Sequence, residues 1–253
     1  MAWTRTYTDP EPSRINRWLA QSGVCSRREA ESLIERGLVT IDGQRVSDVG
    51  RKIEQGQTLT LNDKADAELG GQVTIIINKP TDYVSSQPEG TQIPAARLIR
   101  SENLVGTAPP NLDTRASLAP LGRLDQDSRG LLILSEDGVL AKAVIGPESI
   151  LEKEYLVAVT GRINRETISR LRHGLELDGR QLKPAEVSLE PDDRLRFVLT
   201  EGRNRQIRRM CELVGLDVID LSRLRIGPLE LGDLPEGKWR MLTEGERAAM
   251  IAA

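Results

Sequence analysis

Between Pro120 and Leu134 the chain reads Pro-Leu-Gly-Arg-Leu-Asp-Gln-Asp-Ser-Arg-Gly-Leu-Leu-Ile-Leu, and this stretch constrains the fold more than any other. Pro120 and Gly122 interrupt regular structure, so the segment that follows is a loop. The run Leu131-Leu132-Ile133-Leu134 is short and apolar, as a buried strand is. Asp125 therefore sits on a loop anchored by a core strand, two residues after Arg123. A carboxylate held in this way beside a cation can be aimed at a substrate. The same Arg-x-Asp spacing can also serve only to hold a loop together, and local physics leaves both readings open.

Composition narrows the chemistry. The chain has 253 residues, enough for a substantial core and for one large domain or two. No apolar stretch approaches the roughly 20 residues that span a bilayer. Residues 1–12 lack the apolar core of a secretory signal, so a cytoplasmic protein is expected. Cys25 and Cys211 lie far apart in apolar helical settings, as buried, reduced thiols would. The one histidine, His173, ends a helix before Gly174, where a dipole contact accounts for it. Serine triads and zinc clusters are hard to build from this inventory. Catalysis must then rest on Asp, Glu, Tyr, Lys and Arg, with no metal and no cofactor expected. A glycosidase-like pair of facing carboxylates is not indicated, because Asp127 is a neighbour of Asp125 in the loop.

The net charge of −3 excludes a uniformly basic nucleic-acid binder, but the charge is unevenly spread. From Arg194 to Arg225 there are eight arginines against four acids, and from Arg14 to Arg36 five against three. Arginine, with its planar fork, suits phosphate contact. Local basic faces on an acidic chain are compatible with RNA binding.

Along the chain, residues 1–13 read as a flexible tail. A compact module over 14–62 follows. It has a helix through Ile15, Trp18 and Leu19, then a capping box at Ser26-Arg27-Arg28-Glu29 opening a second helix that ends at Gly37. A hairpin turns at Asp42-Gly43, and a strand closes the module at Thr58–Leu61. Residues 63–72 read as a polar linker. The remainder, 73–253, begins with the β-branched run Val73 to Asn78. Further strands are expected around 155–159, 175–177, 185–189 and 195–199, the second and third joined through Asp178-Gly179. Helices are expected at 165–172 and over the stripe Ile207, Met210, Cys211 and Val214, with Asn204 as a candidate cap. Residues 87–118, rich in Pro, Gly, Thr and Asn, read as a mobile insertion. The fold class is α+β, a small N-terminal α/β module followed by a domain with a largely antiparallel mixed sheet.

Two further residue groups bear on function. Tyr155 opens a strand after Lys153-Glu154, where taken alone it reads as a core aromatic. In Glu201-Gly202-Arg203-Asn204-Arg205-Gln206-Ile207-Arg208-Arg209-Met210, arginines flank a helix whose N-terminus favours phosphate. That face is a solvated basic surface or a binding surface.

The motif Gly122-Arg123-Leu124-Asp125-x-x-Ser128-x-Gly130-Leu131-Leu132 resembles the signature of pseudouridine synthases of the RsuA/RluB/RluE/RluF group, which modify ribosomal RNA. Residues 14–19, Ser26 to Ala30 and Ile34 to Val39 resemble the RNA-binding domain named for small-subunit ribosomal protein S-four. The Asn78-Lys79-Pro80 entry strand and the C-terminal segment 226–243 are also similar to the family, although Thr81-Asp82-Tyr83 stands where the family usually has a glycine. Within the group, Asn204 to Met210 together with the N-terminal module is most like the RluF branch, with RluB-like members the nearest rival. The resemblance implies the pseudouridine synthase fold and isomerisation of a uridine in folded RNA, most naturally large-subunit (23S) ribosomal RNA, with transfer RNA as the alternative. It implies Asp125 as the catalytic nucleophile, Tyr155 packing against the target base, and Arg208 pairing with Asp125 to keep it ionised. Arg123, Arg203, Arg205 and Arg209 would then contact RNA near the site, and Arg14, Arg17, Arg27 and Arg28 would meet phosphates from the N-terminal module. The enzyme would act as a monomer without a membrane or small-molecule partner. A non-catalytic RNA-binding protein on the same scaffold is the rival reading.

Overall fold

The structure is a computed structural model that describes residues 3–86, 88–108 and 118–253. The chain divides into two compact units, residues 1–73 with 135–142 and residues 74–134 with 143–253. Among the described residues no helix is long and apolar enough to cross a membrane.

In the first unit, the helices Ile15–Gln21 and Arg27–Glu35 share one core with a four-stranded antiparallel sheet. The Ser26 hydroxyl accepts from the Glu29 amide while the Glu29 carboxylate accepts from the Ser26 amide, so the capping box forms. Asp42 and Gly43 both take positive φ in the turn between Val39–Ile41 and Gln44–Arg45, the backbone that a tight hairpin needs. Cys25 is buried in this core, and burial, with the Glu29 charge adding to it, pushes its thiol up to about 12.

Two expectations change here. The flexible tail expected at 1–13 is not what the described residues form: Thr4–Thr6 is an antiparallel strand paired with Thr58–Leu61. Cross-strand threonine pairs join it, and Tyr7 is buried edge-on to Trp18 with ring centroids 5.3 Å apart. Burial of that aromatic offsets the entropy of ordering the segment. Nor are residues 63–72 an extended linker. Asp63–Gly70 is a helix, capped by the Asn62 side chain on the Ala65 amide at 2.9 Å, with two aspartates in its first turn.

The second unit is built on a nine-stranded mixed sheet. Along its main path run Glu186–Glu190, Arg194–Leu199, Lys153–Thr160, Asp217–Ile226, Arg129–Ser135, Thr74–Lys79 and Trp239–Met241. Lys153–Thr160 is antiparallel to both of its neighbours, whereas Arg129–Ser135 runs parallel to Asp217–Ile226. Gly130 makes that parallel contact possible. It has φ +103° and lies so close to Arg223 that a β-carbon would stand 2.4 Å from the Arg223 carbonyl oxygen. The Asp178-Gly179 turn joins Glu176–Leu177 to Arg180–Gln181 in a separate small hairpin, and not to Glu186–Glu190, which pairs with Arg194–Leu199. The turn signal was correct, but its partner strand is only two residues long.

The mobile insertion expected at 87–118 also needs revision. Residues 87 and 109–117 lie outside the described residues. Within the rest, Ile93–Pro94 pairs in parallel with Tyr83–Val84, followed by 3-10 turns at Ala95–Leu98 and Ser101–Asn103. The buried Trp239 indole donates to the Arg100 carbonyl at 2.8 Å, and the Val105 amide donates to the Trp239 carbonyl at 2.8 Å. An aromatic anchor thus pins this stretch to the sheet edge.

Candidate catalytic cleft

Asp125 lies on the loop between Pro120 and Arg129, and the backbone of that loop is held at four points. The Leu121 amide donates to Ile133 at 2.9 Å, the Ser128 amide donates to Asp125 at 3.1 Å, and the Asp82 amide donates to Gln126 at 2.8 Å. The buried Ser85 hydroxyl donates to the Leu124 carbonyl at 2.6 Å and accepts from the Leu124 amide at 2.8 Å. Leu124 is buried, so its neighbour Asp125 turns its carboxylate into a cleft of about 780 Å3, within the roughly 300–1,000 Å3 of small-molecule sites. The Asp125 side chain is 32% exposed.

Tyr155 lines the same cleft, on Lys153–Thr160 beside a β-bulge that re-aims the strand start. Arg123 reaches the cleft from the Asp125 loop and is exposed. The floor includes Leu199, Ile207 and Leu221. The sequence reading therefore brought Asp125, Tyr155, Arg123 and the 203–208 segment to one place.

The ion pairing differs from the expectation. Arg208 does not pair with Asp125. Its guanidinium donates to the Asp127 carbonyl at 2.6 Å and to the Val218 carbonyl at 3.3 Å, and its Nε lies 3.3 Å from the Asp127 carboxylate. That Nε is buried and makes no well-directed hydrogen bond. Arg205 is the cation near Asp125, at 3.6 Å, while it holds Asp127 in a bidentate pair at 2.8 and 3.0 Å. The cause is backbone geometry. Arg205 is the N-cap of Gln206–Leu213 in the left-handed conformation, φ 47°, which directs its side chain over the loop. Asn204 does not cap this helix, whose N-cap residue Arg205 makes no side-chain cap bond; ahead of it the Gln206 side chain accepts from the Arg203 amide at 2.9 Å.

Burial opposes ionisation of Asp127, but hydrogen bonding from Arg205 and the charges of Arg208 and Arg205 outweigh it, so its pKa falls below the usual value. Arg203 and Arg209 also have partners within the protein. Arg203 donates to the carbonyls of Leu177, Arg180 and Gln181, and Arg209 forms a bidentate pair with Asp178. Together they tie the 176–181 hairpin to the helix. Arg14, Arg17, Arg27 and Arg28, in the first unit, are all exposed and make no ion pair among the described residues.

Residues absent from the sequence-based site complete it from below. Arg223 is 1% exposed, lines the cleft, and donates to the Leu131 carbonyl at 2.8 Å and the Gly122 carbonyl at 3.2 Å. Lys79 is fully buried and donates to the Pro80 and Tyr83 carbonyls at 2.8 and 2.7 Å. Burial lowers its pKa to about 8, although the Asp127 and Asp125 charges act in the opposite direction. Lys153 lines the cleft, and burial followed by the Arg223 charge lowers its pKa too. Periodicity assigns such cations to the surface. Only the Asn-Lys-Pro resemblance signalled Lys79, and nothing in the sequence signalled Arg223. The arrangement sets the Asp125 carboxylate against an aromatic ring and a set of fixed cations, as a site for an anionic, planar substrate would.

Comparison with known proteins agrees with this chemistry. Residues 73–213 match the family model of RNA pseudouridylate synthases, and residues 13–59 match the S4 domain. The dual-specificity RNA pseudouridine synthase RluF of Escherichia coli K12 is 35% identical over 235 residues, covering 92% of this chain and 76% of that protein. Ribosomal large subunit pseudouridine synthase B of Bacillus subtilis is 32% identical over 240 residues, covering 92% and 93% of the two chains. A crystal structure of a pseudouridylate synthase superposes with a TM-score of 0.64 at 25% identity, covering 94% of this chain and 99% of that one.

Proposed function

Because the chain belongs to the RNA pseudouridylate synthase family, we propose that it converts one uridine of large-subunit (23S) ribosomal RNA to pseudouridine, with Asp125 as the catalytic nucleophile. The observation that carries this reading is the Asp125 carboxylate facing the same cleft as Tyr155, on a loop held by Ser85 and the parallel strand pair. A uridine must leave its stack to enter such a cleft, at a cost of a few kcal/mol. Stacking on the Tyr155 ring and phosphate contact by Arg123 and Arg205 offset that cost. Asp125 promotes cleavage of the bond between ribose C1′ and uracil N1. The uracil turns within the cleft, C5 bonds to C1′, the C5 proton leaves to solvent, and N1 takes up a proton. The balance needs no oxidant, metal or organic cofactor.

Arg208 supports the reaction through Asp127 and the loop backbone and does not touch Asp125 directly. Arg14, Arg17, Arg27 and Arg28 meet backbone phosphates from the S4 domain, where exposed and unpaired guanidiniums supply affinity more than sequence choice. The enzyme works as a monomer in the cytoplasm. Transfer RNA is the second substrate to try. The test is to incubate the protein with 23S and transfer RNA transcripts and map pseudouridine in each. One modified position in 23S RNA is expected; modification in neither RNA, or in transfer RNA alone, would contradict the proposal.

A further inference from the structure

The second unit contains another cavity, of about 510 Å3, walled by Tyr83, Ile93, Pro94, Arg97 and Asn103 among others. Its walls are fixed. Tyr83–Val84 and Ile93–Pro94 pair in parallel, and Trp239 pins the following 3-10 turn through the Arg100 carbonyl. The Asn103 side chain donates through Nδ2 to the Leu98 carbonyl at 3.0 Å. The cavity also adjoins the catalytic loop. Gln92, on its wall, donates to the Gln126 side chain at 3.2 Å, and the Asp82 amide donates to the Gln126 carbonyl. Gln126 immediately follows Asp125.

The chemistry of the walls is that of a nucleotide site. The half-buried Tyr83 offers a ring, and Ile93 is 47% exposed beside it. Arg97 is exposed, and its guanidinium has no partner among the described residues. Ring and apolar surface suit the face of a base, and a free guanidinium suits phosphate. We propose that this cavity is a second nucleotide subsite, holding an unpaired nucleotide next to the target uridine of the RNA. The proposal rests on the reading of the Asp125 cleft as the uridine site. With Gln92 on its wall bonded to Gln126, the residue after Asp125, a nucleotide in each cavity would straddle the catalytic loop, and the second would fix the register of the first.

The test combines changes in RNA and protein. Transcripts carrying the mapped uridine are made with a single abasic nucleotide at each neighbouring position. Affinity is read by direct titration, and kcat and KM by release of tritium from uracil C5. For wild-type protein one abasic position should raise Kd and KM about tenfold, the range of one lost base stack. Tyr83→Ala should show the same rise with intact RNA, no further rise with that abasic RNA, and recovery in Tyr83→Phe. Arg97→Gln should lower the slope of log affinity against log salt by about 0.7–0.9, one phosphate contact. Wild-type affinity and salt slope in both Tyr83→Ala and Arg97→Gln would overturn the subsite. So would equal losses at every abasic position, or a defect seen only with assembled ribosomal particles, which would give the cavity to a protein. A wild-type enzyme that turns over no RNA but still loses affinity on Tyr83→Ala would retain the subsite and remove the proposed reaction.

Discussion

Gly130→Ala should damage the site from outside the cleft. Gly130 has φ +103°, and an alanine β-carbon there would lie 2.4 Å from the Arg223 carbonyl oxygen, 2.7 Å from its amide nitrogen and 3.0 Å from Ser222 Oγ. Restoring a contact of roughly 3.5 Å requires the parallel strands to part by about 1 Å. Ladder hydrogen bonds near 2.9 Å would then stretch beyond their working range. Left-handed strain costs about 1–3 kcal/mol, and two weakened ladder bonds about 1 kcal/mol each. A local loss of about 3–5 kcal/mol follows, a hundred- to a thousandfold or more in amide exchange protection over residues 129–135 and 217–226. Hydrogen exchange with mass detection measures this directly. Activity should fall with it, because Arg223 links the Leu131 and Gly122 carbonyls to the cleft. Protection within tenfold of wild type would refute the argument that this glycine sets the strand spacing.

Asp127→Asn removes the carboxylate that holds Arg205 and Arg208. Both Asp127 and Arg205 are nearly half exposed, so stability should fall by only about 1 kcal/mol, while kcat/KM falls at least tenfold as Arg205 is released toward Asp125. Asp127 has a depressed pKa when folded, so its pairing stabilises above the unfolded value near 3.9 and is lost as pH falls through the lower folded value; Asp127→Asn should flatten this acid limb in urea titrations. Lys79 gives a slope of the same sign at the alkaline end, since its folded pKa of about 8 lies below the ordinary 10.5. The unfolded chain therefore binds more protons between these values, and stability should rise with pH across that window. The difference between wild type and Lys79→Met isolates the effect from other groups and should approach about 3 kcal/mol; a flat difference curve would contradict it. Arg27→Gln with Arg28→Gln should reduce the salt slope of RNA binding by about 1–2, and an unchanged slope would remove these arginines from the RNA contact. Point substitution is preferable to deleting the first unit, because Gly138 donates to the Glu29 carboxylate at 3.2 Å and Ser135–Lys142 belongs to the same compact unit.

What the sequence revealed follows from the range of the forces involved. The Ser26–Glu29 capping box, the Asp42-Gly43 turn and the Gln206–Leu213 stripe depend on residues a few positions apart, and all three formed. The Thr4–Thr6 strand was missed because its partner lies 52 to 56 residues away and its exposed threonines give no apolar alternation. The Asp63–Gly70 helix did carry a local signal, an asparagine cap followed by acids, that the polar composition obscured. At the site, Asp125 and Tyr155 were legible because a motif carries them. The partner of Arg208 was not, since the loop residue it meets, Asp127, lies 81 positions away in the chain. Buried Lys79 and Arg223 were illegible for a different reason: only the tertiary fold supplies the backbone carbonyls that make their burial tolerable.

The most direct test of the central claim uses RNA with tritium at uracil C5, compared between wild type and Asp125→Asn. The account predicts stoichiometric release of tritium to water from 23S RNA by wild type, and none by an Asp125→Asn protein with unaltered hydrogen exchange and RNA affinity. Tritium release by Asp125→Asn at the wild-type rate, or no release by wild type from any RNA offered, would contradict it.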